Sequence, residues 1–191
     1  MQQLTEIRWH ARAGQGAVTA AKVVAETALA ADQYPQAMPE YGPERMGAPI
    51  KAFTRISSVP IEIHCNIENP DIVVVLDDSL LDIVDVAEGL ADDGIVIVNT
   101  CTPPEQVRAK LKIPQGARVA CVDASGIAVD TIKRDIPNTP MVGALIRLTG
   151  VVDMDAFKQL LAKNLSKKFG QEMIDANWAS VDRAYEEVTV A

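Results

Sequence analysis

The sequence predicts an α/β fold of three layers, α/β/α, built on a mixed, mostly parallel sheet with one antiparallel hairpin and a helical C-terminal region. Three short apolar runs predict the sheet, because they are rich in β-branched residues and begin about 23 residues apart, the repeat of a β-α-β unit. They do not alternate, as is typical of strands buried on both faces. The runs are 71–77, 94–99 and 117–123.

The segments between these runs begin with residues that favour helix starts, namely Ser79 and Pro103. The N-terminal part follows the same order. Residues 4–10 predict a strand, 11–16 a turn of small residues, and 17–31 an alanine-rich helix with apolar residues at helical spacing. The chain therefore opens as strand, tight turn and helix.

Residues 32–49 contain four prolines, which exclude a regular helix and predict a long functional loop. Residues 50–56 and 61–65 both alternate between apolar and polar side chains, and we expect them to pair as the antiparallel hairpin. From about residue 125 the chain is predicted to be helical, with amphipathic helices at 153–165 and 167–188. We expect a single domain, 1–191, with a helical extension from about residue 150.

The 191 residues carry a formal charge of −8, and all of the excess lies in residues 61–100, which contain ten acidic and no basic side chains. This acidic belt would repel nucleic acid and anionic lipid, so neither is expected as a partner. No apolar run is long enough to span a membrane and no signal peptide is visible, which predicts a cytoplasmic protein. The belt is either a solvated face or a surface for a basic partner.

Three cysteines, Cys65, Cys101 and Cys121, are far apart and show no C-x-x-C spacing. They cannot form a disulfide framework, a zinc site or an iron–sulfur cluster within this chain. Each lies in or beside an apolar run, so we expect small core residues. Any redox centre would have to come from another chain.

Three segments contain residues suited to binding an anion. In the turn 10–16, small residues between a strand and a helix start could admit a phosphate, and Arg12 could add a charge-assisted contact; a purely structural turn is the alternative. In 41–49, Glu44 and Arg45 could bind a ligand or form a local salt bridge. Asn138 begins a buried helix, where capping alone would also explain it. Around His10 and His64 no arrangement with Ser or Cys makes a nucleophilic site legible, and no catalytic constellation is visible.

Taken in order, these segments resemble the gamma subunit, or third domain, of the 2-oxoacid:ferredoxin oxidoreductases, of which pyruvate:ferredoxin oxidoreductase is the best known. The family's first turn follows a pattern like H-G-x-G-G-Q-G-x-x-T-A-A, and residues 10–21 read HARAGQGAVTAA. Its G-P-E-R-R-G-A-P loop matches 42–49, its E-P-D-V-V-V-L-D strand matches 68–77, and its N-T-x-M-L-G-A helix matches 138–144. The resemblance covers roughly residues 4 to 185.

The resemblance implies a subunit without its own active site in a complex that converts a 2-oxoacid, most simply pyruvate, to an acyl-CoA and CO2. Thiamine diphosphate would lie on alpha and beta subunits, and iron–sulfur clusters on a delta-type subunit that passes electrons to ferredoxin or another acceptor. This chain would help to shape the approach of coenzyme A and would hold no metal. The residues expected there are Arg12, Gly14, Gln15, Gly16, Glu44, Arg45 and Asn138.

Three departures from the family pattern leave alternatives open. Ala11 and Ala13 replace glycines, which disfavours positive φ, and Met46 replaces an arginine. A divergent member acting on phenylglyoxylate or oxalate, with NAD or ferredoxin as acceptor, is one alternative. A free-standing nucleotide-binding enzyme is another, although no strand-end acid follows the first turn by about 20 residues. For a subunit, we expect contacts on the N-terminal loop and the C-terminal helices rather than on the acidic belt.

Overall fold

The computed structural model describes residues 4–40 and 47–191, and its central feature is one mixed sheet. The strands within these residues are β1 (Leu4–Arg12), β2 (Tyr34–Glu40), β3 (Pro49–Ser57), β4 (Ile72–Val75), β5 (Ile95–Asn99), β6 (Arg118–Val122) and β7 (Thr189–Val190). Their order is β2-β3-β1-β4-β5-β6-β7. The central strands β1, β4, β5 and β6 are parallel to one another, whereas β3 runs antiparallel to β1 and β2, and β7 antiparallel to β6.

Helices flank this sheet and give the predicted three layers. They are α1 (Ala17–Ala30), α2 (Pro104–Lys110), α3 (Ala124–Ile132), α4 (Asn138–Thr149), α5 (Met154–Leu165) and α6 (Gln171–Glu187). One face of the sheet packs on α1 and on α3 to α6 in the larger apolar core, around residues such as Trp9, Val74 and Leu145. The other face packs on α2 and on the turns between β4 and β5, around Val75, Leu80 and Val98. The predicted fold class is confirmed.

The antiparallel hairpin was assigned to the wrong pair of strands. β3 pairs with β2, which lies inside the segment 32–49 that was predicted to be a loop. Pro35 and Pro39 fit in β2 because it is an edge strand, where a missing backbone N–H breaks no ladder on the outer side. Prolines excluded a helix here, as predicted, but they did not exclude a strand.

Residues 61–65 form no strand; they belong to an irregular segment that covers the second face of the sheet. Their alternation does not match burial, since Ile63 is 46% exposed. Two buried arginines hold this cover instead. Arg55 donates from Nη1 to the carbonyl oxygen of Cys65 at 2.8 Å, and Arg8 donates to that of Glu68. The position of the cover is therefore set by hydrogen bonds to backbone carbonyls, which alternation of side chains does not encode.

A regular helix from Ser79 was also wrong, because the chain forms a short 3-10 helix at Asp78–Asp82 followed by turns. Its cap is Asp77, whose side chain accepts a hydrogen bond from the Ser79 backbone N–H. The C-terminal helices α5 and α6 match their predictions within a few residues at each end.

Candidate functional site

The turn after β1 is the centre of the candidate site. β1 continues two residues further than predicted, so Ala11 and Arg12 still pair with β3. The backbone N–H of Ala13 then donates to the Ala48 carbonyl at 2.8 Å, and the chain turns through Gly14 and Gly16 at φ of 105° and 85°. These are backbone conformations that glycine adopts without strain.

The two alanines that depart from the family pattern fit this turn without backbone strain. Among the described residues, positive φ outside glycine occurs at Asp32 and Lys133, and so at neither Ala11 nor Ala13. Ala11 is a buried strand residue, and Ala13 pairs with the backbone on the far side of the loop. The glycines that the turn requires, Gly14 and Gly16, are both present.

The Arg12 side chain is fixed beside the turn by hydrogen bonds that use only part of its guanidinium. Its Nε and Nη2 donate to the Ser79 hydroxyl at 3.2 and 2.8 Å, and Nη1 donates to the carbonyl of Gly47 at 3.0 Å. These contacts engage three of the five N–H groups that an arginine carries. Within the described residues, the other two are available to an anionic group, and the side chain is 32% exposed.

Asp77 lies directly beside this guanidinium. Its Oδ2 is 3.4 Å from Arg12 Nε and accepts a hydrogen bond from Gln15 Nε2 at 2.8 Å, while Oδ1 accepts from the hydroxyl of Ser79. Partial burial would raise the pKa of Asp77, but hydrogen bonds from Ser79 and Gln15 and the charge of Arg12 outweigh it and lower that pKa. The carboxylate therefore stays charged at neutral pH.

Gln15 and Asn138 are largely occupied by the protein itself. Gln15 Oε1 accepts from the Arg12 backbone N–H at 2.8 Å, and its amide donates to Asp77. Asn138 Oδ1 accepts from the N–H of Thr139 at 2.9 Å, and Nδ2 faces the Gly16 carbonyl at 3.4 Å. Asn138 is not the N-cap of α4, which is Pro137, so the capping alternative was wrong. Both side chains brace the turn.

Gly16 is the point where the turn, α1 and α4 meet. It is the N-cap of α1, without a side-chain cap, and the first turn of α1 contains no acidic residue. An added Cβ at Gly16 would lie 2.6 Å from Asn138 Nδ2, so this contact also requires glycine. The N-terminus of α1 carries the positive end of the helix dipole, and no acidic side chain in the first turn offsets it. This positive end lies next to the Arg12 guanidinium.

All of these groups lie at the carboxyl ends of the parallel strands. The chain leaves β1 for β2 and β3 on one side and returns through β4 on the other, so β1 and β4 flank a topological switch point. Ligands in open α/β sheets bind in the crevice at such a point. The structure thus brings together Arg12, Gly14, Gln15, Gly16 and Asn138, whereas Glu44 and Arg45 lie outside the described residues.

Two residues of this cluster, Asp77 and Ser79, were not among the predicted site residues. The pattern did contain a signal for them, since Asp77 directly follows a buried parallel strand and polar groups at such ends meet at one edge. The missing information was that β4 is the immediate neighbour of β1.

Arg8 and His10 form a buried hydrogen-bonded pair on β1, beneath the turn. Arg8 Nε donates to His10 Nε2 at 3.1 Å, and both side chains are buried. Burial, together with the charges of Arg8 and Lys51, lowers the pKa of His10 to about 3. His10 is therefore a neutral acceptor that satisfies Arg8.

The cysteines differ from the prediction in two of three cases. Cys121 is buried in β6, and burial raises its pKa to about 11. Cys65 and Cys101 are exposed, because both lie in loops beyond strand ends rather than in the core. Across residues 4–40 and 47–191, no group of three or more His, Cys, Asp or Glu side chains is placed to hold a metal ion. No helix in the same part of the chain is both long and apolar enough to cross a membrane.

Comparison with known proteins gives matches along nearly the whole chain. A family model described as pyruvate ferredoxin/flavodoxin oxidoreductase matches residues 6–187. Pyruvate synthase subunit PorC of Thermotoga maritima is 51% identical over 183 residues, 96% of this chain and 94% of the relative. The pyruvate/ketoisovalerate oxidoreductases common subunit gamma of Pyrococcus furiosus is 45% identical over 187 residues, 98% of each. The crystal structure of pyruvate oxidoreductase subunit PORC from Thermotoga maritima superposes with a TM-score of 0.87 at 48% identity, covering 99% of both chains.

Proposed function

The chain belongs to the pyruvate ferredoxin/flavodoxin oxidoreductase family, and we propose that it is the gamma subunit of a complex that oxidatively decarboxylates pyruvate to acetyl-CoA and CO2. The observation that supports this most strongly is the match to a pyruvate synthase subunit over 96% of this chain. That match spans the turn at 10–16, the strand that ends at Asp77 and the helix that begins at Asn138. The names of these relatives describe subunits, which does not favour the alternative of a free-standing enzyme.

We assign thiamine diphosphate and the iron–sulfur clusters to partner subunits of alpha, beta and delta type. The donor set of the described residues does not fit a cluster, because Cys65, Cys101 and Cys121 lie on separate elements. Electrons would therefore leave the complex through another chain, toward ferredoxin. The name of the Pyrococcus furiosus relative describes a subunit common to two oxidoreductases, which favours substrate choice by the other subunits.

The role proposed for this chain is to help bind coenzyme A at the turn after β1. Coenzyme A carries phosphates, and the turn offers the uncapped start of α1 and the two N–H groups of Arg12 that no described residue engages. Gly14 keeps the backbone open, since no atom of the described residues lies within 4 Å of the position of a Cβ there, and Gly16 leaves room for Asn138. Gln15 and Asn138 brace this geometry. Glu44 and Arg45 are proposed to contribute from the adjoining loop.

Co-purification tests the subunit assignment. The native chain should elute with subunits that carry thiamine diphosphate and iron–sulfur clusters, and the pooled complex should reduce ferredoxin when it is given pyruvate and coenzyme A. Elution of the chain alone, together with saturable NAD binding, would refute the assignment.

Calorimetric titration of the assembled complex with coenzyme A tests the site. Arg12→Ala should raise the dissociation constant by roughly tenfold, the usual cost of losing one charge-assisted contact. Arg118→Ala is the matched control, because Arg118 is an exposed arginine at the amino end of β6, and the turn lies at the carboxyl ends of the parallel strands. Equal affinities in the wild type and Arg12→Ala would remove Arg12 from the coenzyme A site.

A further inference from the structure

We propose that Asp77, acting through Ser79, is a positioning residue that orients the Arg12 guanidinium toward the phosphate-bearing ligand. The proposal rests on the coenzyme A site proposed above and assigns to it a residue on the neighbouring strand. Asp77 lies on the segment after β4, 65 positions from Arg12 along the chain, and reaches it only because β4 and β1 are adjacent parallel strands.

The hydrogen bonds from Arg12 to Ser79 and from Ser79 to Asp77 form a chain in which each group donates toward the Asp77 carboxylate. The Ser79 hydroxyl donates to Asp77 Oδ1 and so turns its lone pairs toward the guanidinium, where it accepts from both Nε and Nη2 of Arg12. A hydroxyl has one proton to donate, so the acceptor on Asp77 fixes the direction of its other contacts. Ser79 therefore accepts from the side of the guanidinium formed by Nε and Nη2, and two other N–H groups of Arg12 have no partner among the described residues.

Asp77 also fixes the turn from the other side. Its Oδ2 accepts from Gln15 Nε2, and Gln15 Oε1 accepts from the backbone N–H of Arg12. One carboxylate therefore holds both the side chain and, through Gln15, the backbone of Arg12. With a side chain only 19% exposed, the carboxylate also makes little direct contact with solvent.

Asp123 is a comparable aspartate whose side chain caps a helix and accepts a hydrogen bond from the Cys101 thiol instead of serving the turn. Asp123 follows β6 as Asp77 follows β4, and its Oδ1 accepts from the Gly126 N–H at 2.8 Å to cap α3. Within the described residues its side chain makes no hydrogen bond or salt bridge to the turn at 10–16, because β6 lies two strands further from β1 than β4 does. Asp123→Asn is therefore a matched control for loss of charge at a capping aspartate.

The test measures binding of coenzyme A to the assembled complex by calorimetry in single and double variants. Asp77→Asn keeps an acceptor for the Ser79 N–H but loses the charge beside Arg12, and should raise the dissociation constant roughly tenfold. Ser79→Ala should act in the same direction, and Asp123→Asn should leave the value unchanged. The double variant Arg12→Ala/Asp77→Asn should bind more weakly than Arg12→Ala alone by much less than tenfold, because the part of the Asp77 effect that passes through the Arg12 side chain is already lost.

The outcomes separate this proposal from the site on which it rests. If Arg12→Ala does not weaken binding, the coenzyme A site fails. If Arg12→Ala weakens binding and Asp77→Asn does not, or if the two effects multiply, the positioning role is overturned. A crystal structure of the Asp77→Asn complex gives a reading independent of coenzyme A: the guanidinium of Arg12 should leave Ser79, and an unmoved guanidinium would also overturn the proposal.

Discussion

His10 makes the stability of the fold depend on pH. It is buried as a neutral acceptor of Arg8, and its pKa is lowered from 6.5 to about 3, mainly by burial. Below pH 6.5 the unfolded chain takes up a proton that the folded chain does not, so folded-state stability falls as the pH falls toward 3. The slope from this group is at most about 1.4 kcal/mol per pH unit.

We therefore expect His10→Gln to flatten the pH dependence of unfolding. A Gln oxygen can still accept from Arg8 Nε, but it does not titrate, so the variant should lose about 1.6 kcal/mol less than the wild type between pH 6.5 and about pH 5. Urea titrations at these two pH values measure the difference. His64→Gln is the control because His64 is exposed; identical pH slopes in the wild type and His10→Gln would contradict the prediction.

The sequence could predict those site residues whose role depends on their own turn, and it could not predict the roles that depend on a partner elsewhere in the chain. Gly14 and Gly16 are local, since positive φ depends on the turn itself, and they were found from the motif. Asp77 is not local, because its partner Arg12 is on another strand. The supporting roles of Gln15 and Asn138 likewise appear only when the chain is folded, since their partners belong to other segments.

The contact between α4 and α6 depends on one position. Gly143 lies in α4 against the backbone of α6, and an added Cβ would lie 2.3 Å from the carbonyl oxygen of Val181. A backbone atom cannot move aside as a flexible side chain can, so Gly143→Ala must push the two helices apart. We expect a loss of about 1–3 kcal/mol in the free energy of unfolding, measured by thermal denaturation.

Gly170→Ala provides the comparison for this prediction. Gly170 precedes α6, and no atom in the described part of the chain lies within 4 Å of the position of its Cβ. A loss from Gly143→Ala no larger than that from Gly170→Ala would show that the helices separate without cost.

At the scale of elements, strands buried in the sheet could be predicted and the edge could not. β4, β5 and β6 match the apolar runs because burial on both faces leaves a continuous pattern. β2 was missed because an edge strand can contain prolines, and residues 61–65 were mistaken for its replacement because they alternate. Pairing between segments decides both cases, and a single segment does not contain that information.

At the scale of the whole molecule, the acidic belt covers one side of the protein. Eight of its ten acidic residues are exposed, and they lie on the irregular segment, the 3-10 helix and the turns that cover the second face of the sheet. Asp71 and Asp77 are the two partly buried members, and Asp77 serves the turn after β1. This distribution favours solvation of the belt, since most of its carboxylates face solvent, including Asp78 and Asp85, which also accept hydrogen bonds from Thr100 and Ala87.

We therefore expect the triple variant Glu62→Lys/Asp82→Lys/Asp92→Lys to assemble with its partner subunits as the wild type does. These three side chains are exposed and make no hydrogen bond or salt bridge within the described residues, so their reversal changes surface charge alone. Co-purification at low and moderate salt measures assembly, because a contact between opposite charges weakens as salt screens it.

Phe169→Glu is the opposing variant. Phe169 is 43% exposed between α5 and α6, where we expect subunit contacts, and the charge should weaken assembly. Loss of partner subunits from the triple variant, with retention by Phe169→Glu, would instead make the belt the subunit interface.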